Sequence, residues 1–237
     1  MKNIIKGLLT ASCALLFVFP GGGCKKLAGL DLQENVNHPT HTIDPRLNKT
    51  AWQYIKDRSS GNPDSIFSRM YQGIIYSGID TNEYTKTGRT FILLNNGAVD
   101  SVITGKVSPA CYFGHYLVNG LPGTKWQDYS PAQVKTWLQY LIITKNFNYD
   151  FGSPIDAADL IVLNSSNVPA PNLMPPGSDT LNPQSTLLIA LTDDRNSSVV
   201  LNNFAGSAYP TIMRTAGYVL TNGSAHVSQN VVYYQQK

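Results

Sequence analysis

Charge is scarce in this chain: only 14% of its 237 residues are Asp, Glu, Lys or Arg, and the formal net charge is +3. Without Lys2 and Lys6, which belong to the leader described below, the 18 basic residues fall to 16, against 15 acidic ones. No run of Lys and Arg interleaved with aromatics occurs, so nothing generates the phosphate attraction that drives nucleic-acid binding, and no nucleic-acid partner is expected. Cysteine is nearly absent as well. Of Cys13, Cys24 and Cys111, two fall in the leader region, which excludes an intramolecular disulfide framework in the folded part. Cys111, in an Ala-Cys-Tyr-Phe context, reads as a small buried hydrophobe. The apolar stretch from Leu8 to Phe19 is shorter than the roughly 20 residues of a permanent membrane span.

Groupings that carry chemistry are also missing. Ser-x-x-Lys, Gly-x-Ser-x-Gly and Gly-rich phosphate loops do not occur, and no nucleophile is paired with a base. Asp193-Asp194 beside Arg195 suits turn capping, and Asp156 with Asp159 suits a solvated surface. His38 and His41 have a spacing that serves a metal only on a helix, and Pro39 between them opposes one. The expectation is a protein that is not an enzyme and takes neither metal nor cofactor.

What is present begins with a leader. Lys2 and Lys6 precede the apolar core, and Pro20 and Gly21-Gly22-Gly23-Cys24 follow it, the charge, core and cleavage order of a secretory signal. Small residues directly before a cysteine resemble the bacterial lipobox, with Gly21 standing where leucine is usual. That resemblance implies a signal peptide over 1–23 and a diacylglycerol on Cys24. Acyl chains contribute ~0.8 kcal/mol per buried methylene, so the lipid is expected to hold the chain at an outer membrane, with both faces open to it. Residues 24–47 have no sustained period and contain His38-Pro39 and Asp44-Pro45, as a tether would.

The remaining length and the 42% hydrophobic content fit one large domain over 48–237. Asn48 or Thr50 can cap a short helix carrying Trp52 and Ile55. Asn62-Pro63-Asp64 offers the start of a second helix, on which Ile66, Phe67, Met70, Ile74 and Ile75 share a core-facing stripe that Gly78 ends. Thr90 to Leu94 is a buried strand, and Asn95-Asn96-Gly97 a turn leading into a short helix. Ser130-Pro131-x-Gln133 is a capping box, and Val134, Trp137, Leu138, Leu141 and Ile142 follow at helical spacing. Further strands are expected over 155–163, 186–191 and 198–201, the last two as a hairpin. Another hairpin closes on Asn222-Gly223 through a type I′ turn. Two inserts, near 99–129 and 164–184, show no clear period, and the prolines of the second oppose both helix and ladder.

In order, these features resemble a fasciclin-type domain, covering roughly Asn48 to Tyr234. Its anchors are Gly88-Arg89-Thr90-Phe91-Ile92, similar to the family's first signature, and Thr221-Asn222-Gly223-Ser224-Ala225-His226-Val227, similar to its second. Here the first continues as Leu93-Leu94-Asn95 rather than Ala-Pro-Thr, and the family's Tyr-His pair on the capped helix appears as Tyr140-Leu141. The resemblance implies an α+β fold, a mixed sheet wedge packed with helices, acting in adhesion or in binding an extracellular protein or polysaccharide. His226 is then a hydrogen-bonded structural residue. Two other roles remain open: an accessory glycan-binding subunit of an outer-membrane capture system, in which Tyr112, Tyr116 or Trp126 would stack on sugar rings, and an uncharacterised hydrolase. Core packing is the alternative role for each of those three aromatics.

Overall fold

The structure, a computed structural model, describes residues 26–27, 30–31, 44–60, 65–149, 160–176, 187–193, 197–207 and 210–232. The chain divides into two units, Met1–Ile43 and Asp44–Lys237. In the first, β1 (Lys26–Leu27) pairs antiparallel with β2 (Leu30–Asp31). The expected leader, Cys24, His38 and His41 lie outside the described residues.

The second unit is α+β. Its paired backbone begins ahead of residue 48, within the stretch assigned above to the tether. The Leu47 N–H donates to the Val219 carbonyl and the Val219 N–H to that of Pro45, each at 2.9 Å. Helix α1 (Ala51–Asp57) starts at Thr50, not Asn48. The Gln53 N–H donates to the Thr50 hydroxyl at 3.2 Å and the Thr50 N–H returns to the Gln53 carboxamide at 3.0 Å, a complete capping box.

Helix α2 (Ser68–Ser77) has no cap from its own Phe67. Asn96 supplies one from a distant segment: its side-chain oxygen accepts from the Arg69 N–H at 3.0 Å, and its amide donates to the Ser65 carbonyl at 2.8 Å. Phe67, Met70 and Ile74 are buried, as the stripe requires, but Ile75 is 55% exposed. A stripe defined by spacings of three and four residues admits both neighbours of its centre line, and packing here selects Ile74. The expected start at Asn62-Pro63-Asp64 lies outside the described residues.

Strand β3 (Arg89–Leu94) is buried from Thr90 onward, and Asn95 caps the one-turn α3 (Asn96–Val99). The first insert contributes a hairpin, β4 (Val102–Ile103) with β5 (Lys106–Val107), and the short α4 (Tyr112–His115). It adds a tight Val118–Leu121 loop and a 3-10 turn over Trp126–Asp128. Helix α5 (Pro131–Tyr140) is capped by Ser130, whose hydroxyl accepts from the Gln133 N–H at 3.2 Å. Leu141 and Ile142 are buried as expected but lie beyond the helix, Ile142 already in β6 (Ile142–Ile143).

Strands β7 (Asn146–Asn148) and β8 (Leu160–Val162) form a parallel pair. The second insert is corrected: β9 (Val168–Ala170) is a strand containing Pro169, which pairs with Leu188 of β10 (Leu187–Leu191). Among the described residues β9 is an edge strand of its sheet, the position in which a proline's missing N–H is tolerated. β10 pairs antiparallel with β11 (Val199–Leu201), the expected hairpin, and β12 (Thr211–Ile212) completes that four-stranded sheet.

The other four-stranded sheet runs β13-β14-β3-β6, with β13 (Thr215–Leu220) and β14 (Gly223–Ser228) antiparallel. Its centre is the parallel pair β14 and β3, in register from Gly223 opposite Arg89 to Ser228 opposite Leu94. The terminal turn differs from the expected type I′. Leu220 faces Gly223, so Thr221 and Asn222 make the turn, and Asn222 does not take positive φ. Gly223 is instead required by close approach, because a Cβ there would stand 1.9 Å from the Arg89 carbonyl oxygen.

Candidate functional site

Several polar side chains of β3 and β14 are committed to structure. The Thr90 hydroxyl donates to the Lys145 carbonyl at 2.9 Å and accepts from the Phe147 N–H at 2.7 Å. The Ser224 hydroxyl donates to the Asn146 side chain. His226, fully buried, accepts at Nδ1 from the Gly217 N–H and therefore donates from Nε2 to the Phe147 carbonyl, both at 3.1 Å. Together these bonds hold β7 against the central sheet. Burial lowers the His226 pKa to about 4, so the ring is neutral at physiological pH.

Asn222 does similar work. Its oxygen accepts from the Ala51 N–H at 3.0 Å, and its amide donates to the Tyr84 and Lys86 carbonyls at 3.0 and 3.1 Å. One side chain thereby joins the final turn to the start of α1 and to the segment before β3.

The structure places the three aromatic candidates in or against the core. Tyr112 is 0% exposed, its ring 4.4 Å from Trp137, 5.0 Å from Tyr129 and 5.1 Å from Trp126. A ring enclosed in this way has no face for a sugar, so Tyr112 is withdrawn as a ligand contact. Tyr116 is half-buried against Tyr112, with its carbonyl accepting from the Tyr129 hydroxyl at 2.8 Å. Trp126 is 4% exposed and its indole N–H donates to the Arg69 carbonyl at 2.9 Å. It cannot present a stacking face, yet it floors a groove. Cys111 is buried, and its thiol donates to the Ser108 carbonyl at 3.1 Å, in keeping with a structural role.

That groove, about 600 Å³, opens between α2 and the end of the first insert. Gly73 makes it possible. A Cβ at this helical position would meet the Trp126 ring at 2.7 Å, so only glycine lets the indole lie across α2. From α2 come Tyr71, Gln72, Ile75 and Tyr76; from the insert come Thr124, Lys125 and Gln127. Both tyrosine rings are fixed: Tyr71 stacks on Trp52 with centroids 5.6 Å apart, and the Tyr76 hydroxyl donates to the Tyr129 carbonyl at 2.6 Å. At one end Arg69 forms an ion pair with Asp100 and donates to its carbonyl at 2.8 Å. The insert wall is set by Asp128, whose carboxylate accepts from the Thr124 N–H at 2.8 Å, the Thr124 hydroxyl at 3.1 Å and the Lys125 N–H at 3.2 Å. The Thr124 backbone bond leads in holding that carboxyl below its usual pKa.

A second, smaller cleft of about 300 Å³ includes Glu83, Lys86, Arg89 and Lys135. Glu83 pairs with both Lys86 and Arg89, and the Lys86 bond leads in lowering its pKa, so this cleft is largely internally neutralised. Among the described residues, no cluster of three or more His, Cys, Asp or Glu side chains could hold a metal ion.

Of the three aromatics singled out in the first insert, Trp126 lines the groove and Tyr112 and Tyr116 do not. The other signal lay on α2, where Ile75 is exposed next to the buried Ile74, while Tyr71 and Tyr76 are partly buried against the core at its margin. No protein-family model matches this sequence, and no curated protein matches it.

Proposed function

We propose that this chain is a membrane-anchored envelope lipoprotein, carried by a lipid on Cys24, whose fasciclin-like domain binds an extracellular ligand without transforming it, in adhesion or capture. The observation that carries the reading is the groove between α2 and the first insert, whose walls are set before any ligand arrives. Loops mounted on a rigid scaffold are where recognition concentrates, and a pocket of several hundred Å³ suits it. The fasciclin likeness is supported by the sheet: the two segments that carry it are β3 and β14, adjacent, parallel and in register. In the groove the one acidic lining residue, Asp100, is engaged by Arg69, an arrangement suited to holding shape.

Two measurements test this. Cells fed labelled palmitate should label the wild-type chain and leave Cys24→Ser unlabelled; equal labelling would remove the anchor. The full chain in detergent, immobilised and exposed to extracellular-matrix proteins and polysaccharides, should retain a ligand that Ile75→Arg releases. Retention indifferent to Ile75→Arg would dismiss the groove as the site, and turnover of a retained polymer would overturn the non-catalytic reading.

A further inference from the structure

Resting on the lipid anchor at Cys24, we infer that the first insert makes a second contact with the same membrane: two hairpin tips, one carrying Val102 and Ile103 and the other Leu117 and Leu121, sink into the interface of an anionic bilayer. Among the described residues, four of the seven large apolar side chains left exposed sit here, Val102 at 61%, Ile103 at 59%, Leu117 at 54% and Leu121 at 69%. Each tip is a tight two-residue turn. Thr104 and Gly105 join β4 to β5, and Asn119 and Gly120 join Val118 to Leu121, all four at positive φ. Both tips also rise from one place, the short α4. Ser108, just after β5, lies so close that a Cβ at Gly114 would stand 2.0 Å from its carbonyl oxygen, and the Gly123 N–H donates to the Phe113 carbonyl at 3.0 Å. Because Tyr112 and Phe113 of α4 are buried, the core fixes the base of each hairpin.

Two observations choose lipid over a protein partner. Val102 and Ile103 are consecutive strand residues and so point to opposite faces of their hairpin, yet both are exposed. A protein partner covers one face of a protrusion, whereas a lipid phase surrounds it. Charge then selects the kind of surface. From Ser101 to Gln127 the chain has Lys106 and Lys125 but neither Asp nor Glu, although the whole chain carries 15 acidic residues. Lys125 lies beside Asp128, while Lys106, next to the first turn, has no carboxylate on either hairpin. An apolar tip flanked by a lysine, whose stem lies along the acyl boundary while its ammonium meets lipid phosphate, is the pattern of interfacial segments. The half-buried Tyr116 beside Leu117 adds an aromatic of the kind that sits at head-group level. The anchor makes this contact intramolecular. About 20 residues separate Cys24 from Asp44, where the second unit begins, a reach of at most about 70 Å, so the tips stay at high effective concentration against the bilayer. A few apolar side chains, too few to bind a free protein firmly, then suffice to orient a tethered one.

The test uses the full lipidated chain, purified in detergent and reconstituted onto vesicles of phosphatidylcholine, alone or mixed with phosphatidylglycerol. A single nitrobenzoxadiazole label is placed at Ile103→Cys, at Leu121→Cys or, away from the insert, at Val162→Cys, all exposed positions; with Cys111 buried and Cys24 acylated, the introduced thiol is the one that reacts. On mixed vesicles the Ile103→Cys and Leu121→Cys labels should shift to the blue and lose emission to spin-labelled lipid, and the Val162→Cys label should do neither. Lys106→Ala should lower the ratio of inserted to free tips about fivefold on mixed vesicles and leave it unchanged on phosphatidylcholine alone. A label at either tip that stays in water while the chain floats with the vesicles would overturn the inference and leave the anchor standing. A chain that does not float would remove the anchor and the inference with it. A blue shift that grows with chain concentration in detergent and is not quenched by lipid would assign the tips to a second copy, and insertion indifferent to phosphatidylglycerol would overturn the choice of an anionic surface.

Discussion

Acid should unfold this protein through one buried ring. His226 is fully enclosed, accepts from the Gly217 N–H and donates to the Phe147 carbonyl, and its pKa is lowered to about 4 from 6.5, with burial the dominant cause. The folded state therefore releases a proton that the unfolded state keeps, so stability from this group is full above about pH 7. It is lost as pH falls from about 6.5 towards 4 and does not decline further below that. The difference between the two pKa values corresponds to about 3 kcal/mol in total, of which roughly half disappears between pH 7 and pH 5. Protonation would also turn Nδ1 into a donor facing the Gly217 N–H, breaking the bond between β14 and the bulge in β13. Denaturant unfolding at fixed ionic strength between pH 8 and pH 4 measures this directly. His226→Gln should be less stable at pH 7 and should have a flatter pH profile over the same interval. A wild-type profile that is flat between pH 7 and pH 5, or an unchanged slope in His226→Gln, would refute the reasoning.

Three further outcomes are expected. Asn222→Ala strands the buried Ala51 N–H and two carbonyl groups, and should cost about 3 kcal/mol by urea midpoint; a loss under about 1 kcal/mol would show that water takes the amide's place. Gly73→Ala gains about 1 kcal/mol of helix propensity but drives a methyl into Trp126, so a net loss of about 1–2 kcal/mol and a red-shifted tryptophan emission are expected, and a more stable variant would contradict the packing. Ile75→Ser should change stability by no more than about 0.5 kcal/mol, whereas Ile74→Ser should cost about 3 kcal/mol or more; equal losses would return Ile75 to the core.

Local chemistry was legible wherever a short segment decides its own conformation. Thr50 with Gln53, and Ser130 with Pro131 and Gln133, announce two helix starts because the capping partners lie within one turn. The same holds for β3, whose unbroken apolar run matches a strand buried on both sides. Errors arose where a distant contact chose between local options. Asn222-Gly223 has the composition of a type I′ turn, yet Asn222 is recruited to partners as far as 171 positions away and Gly223 is needed for the approach of β14 to Arg89. Pro169 is compatible with a strand only at a sheet edge, and edge position is a property of the assembled sheet. In the first insert the burial of Tyr112, Phe113, Trp126 and Tyr129 follows no period because each comes from a helix of a single turn or from a loop, and they meet as a cluster. The groove was invisible for a related reason: half of it is a helix face that would be ordinary surface without Gly73 and the indole that glycine admits.

The pairing of β3 with β14 governs when this protein can fold at all. β3 is made early in the chain and must wait for a strand near the chain's end before its centre is covered, while β6 can protect only one flank in the interval. Contacts between such distant segments are entropically costly to close and slow to form. During synthesis the apolar run Phe91 to Leu94 is consequently exposed until almost the whole domain has emerged, a window in which a partner that keeps chains unfolded can hold it. The same geometry ties two strands to β14: a chain ending before Gly223 lacks the strand that joins β3 to β13, leaving β3 paired with β6 alone and β13 only with the Pro45–Leu47 segment.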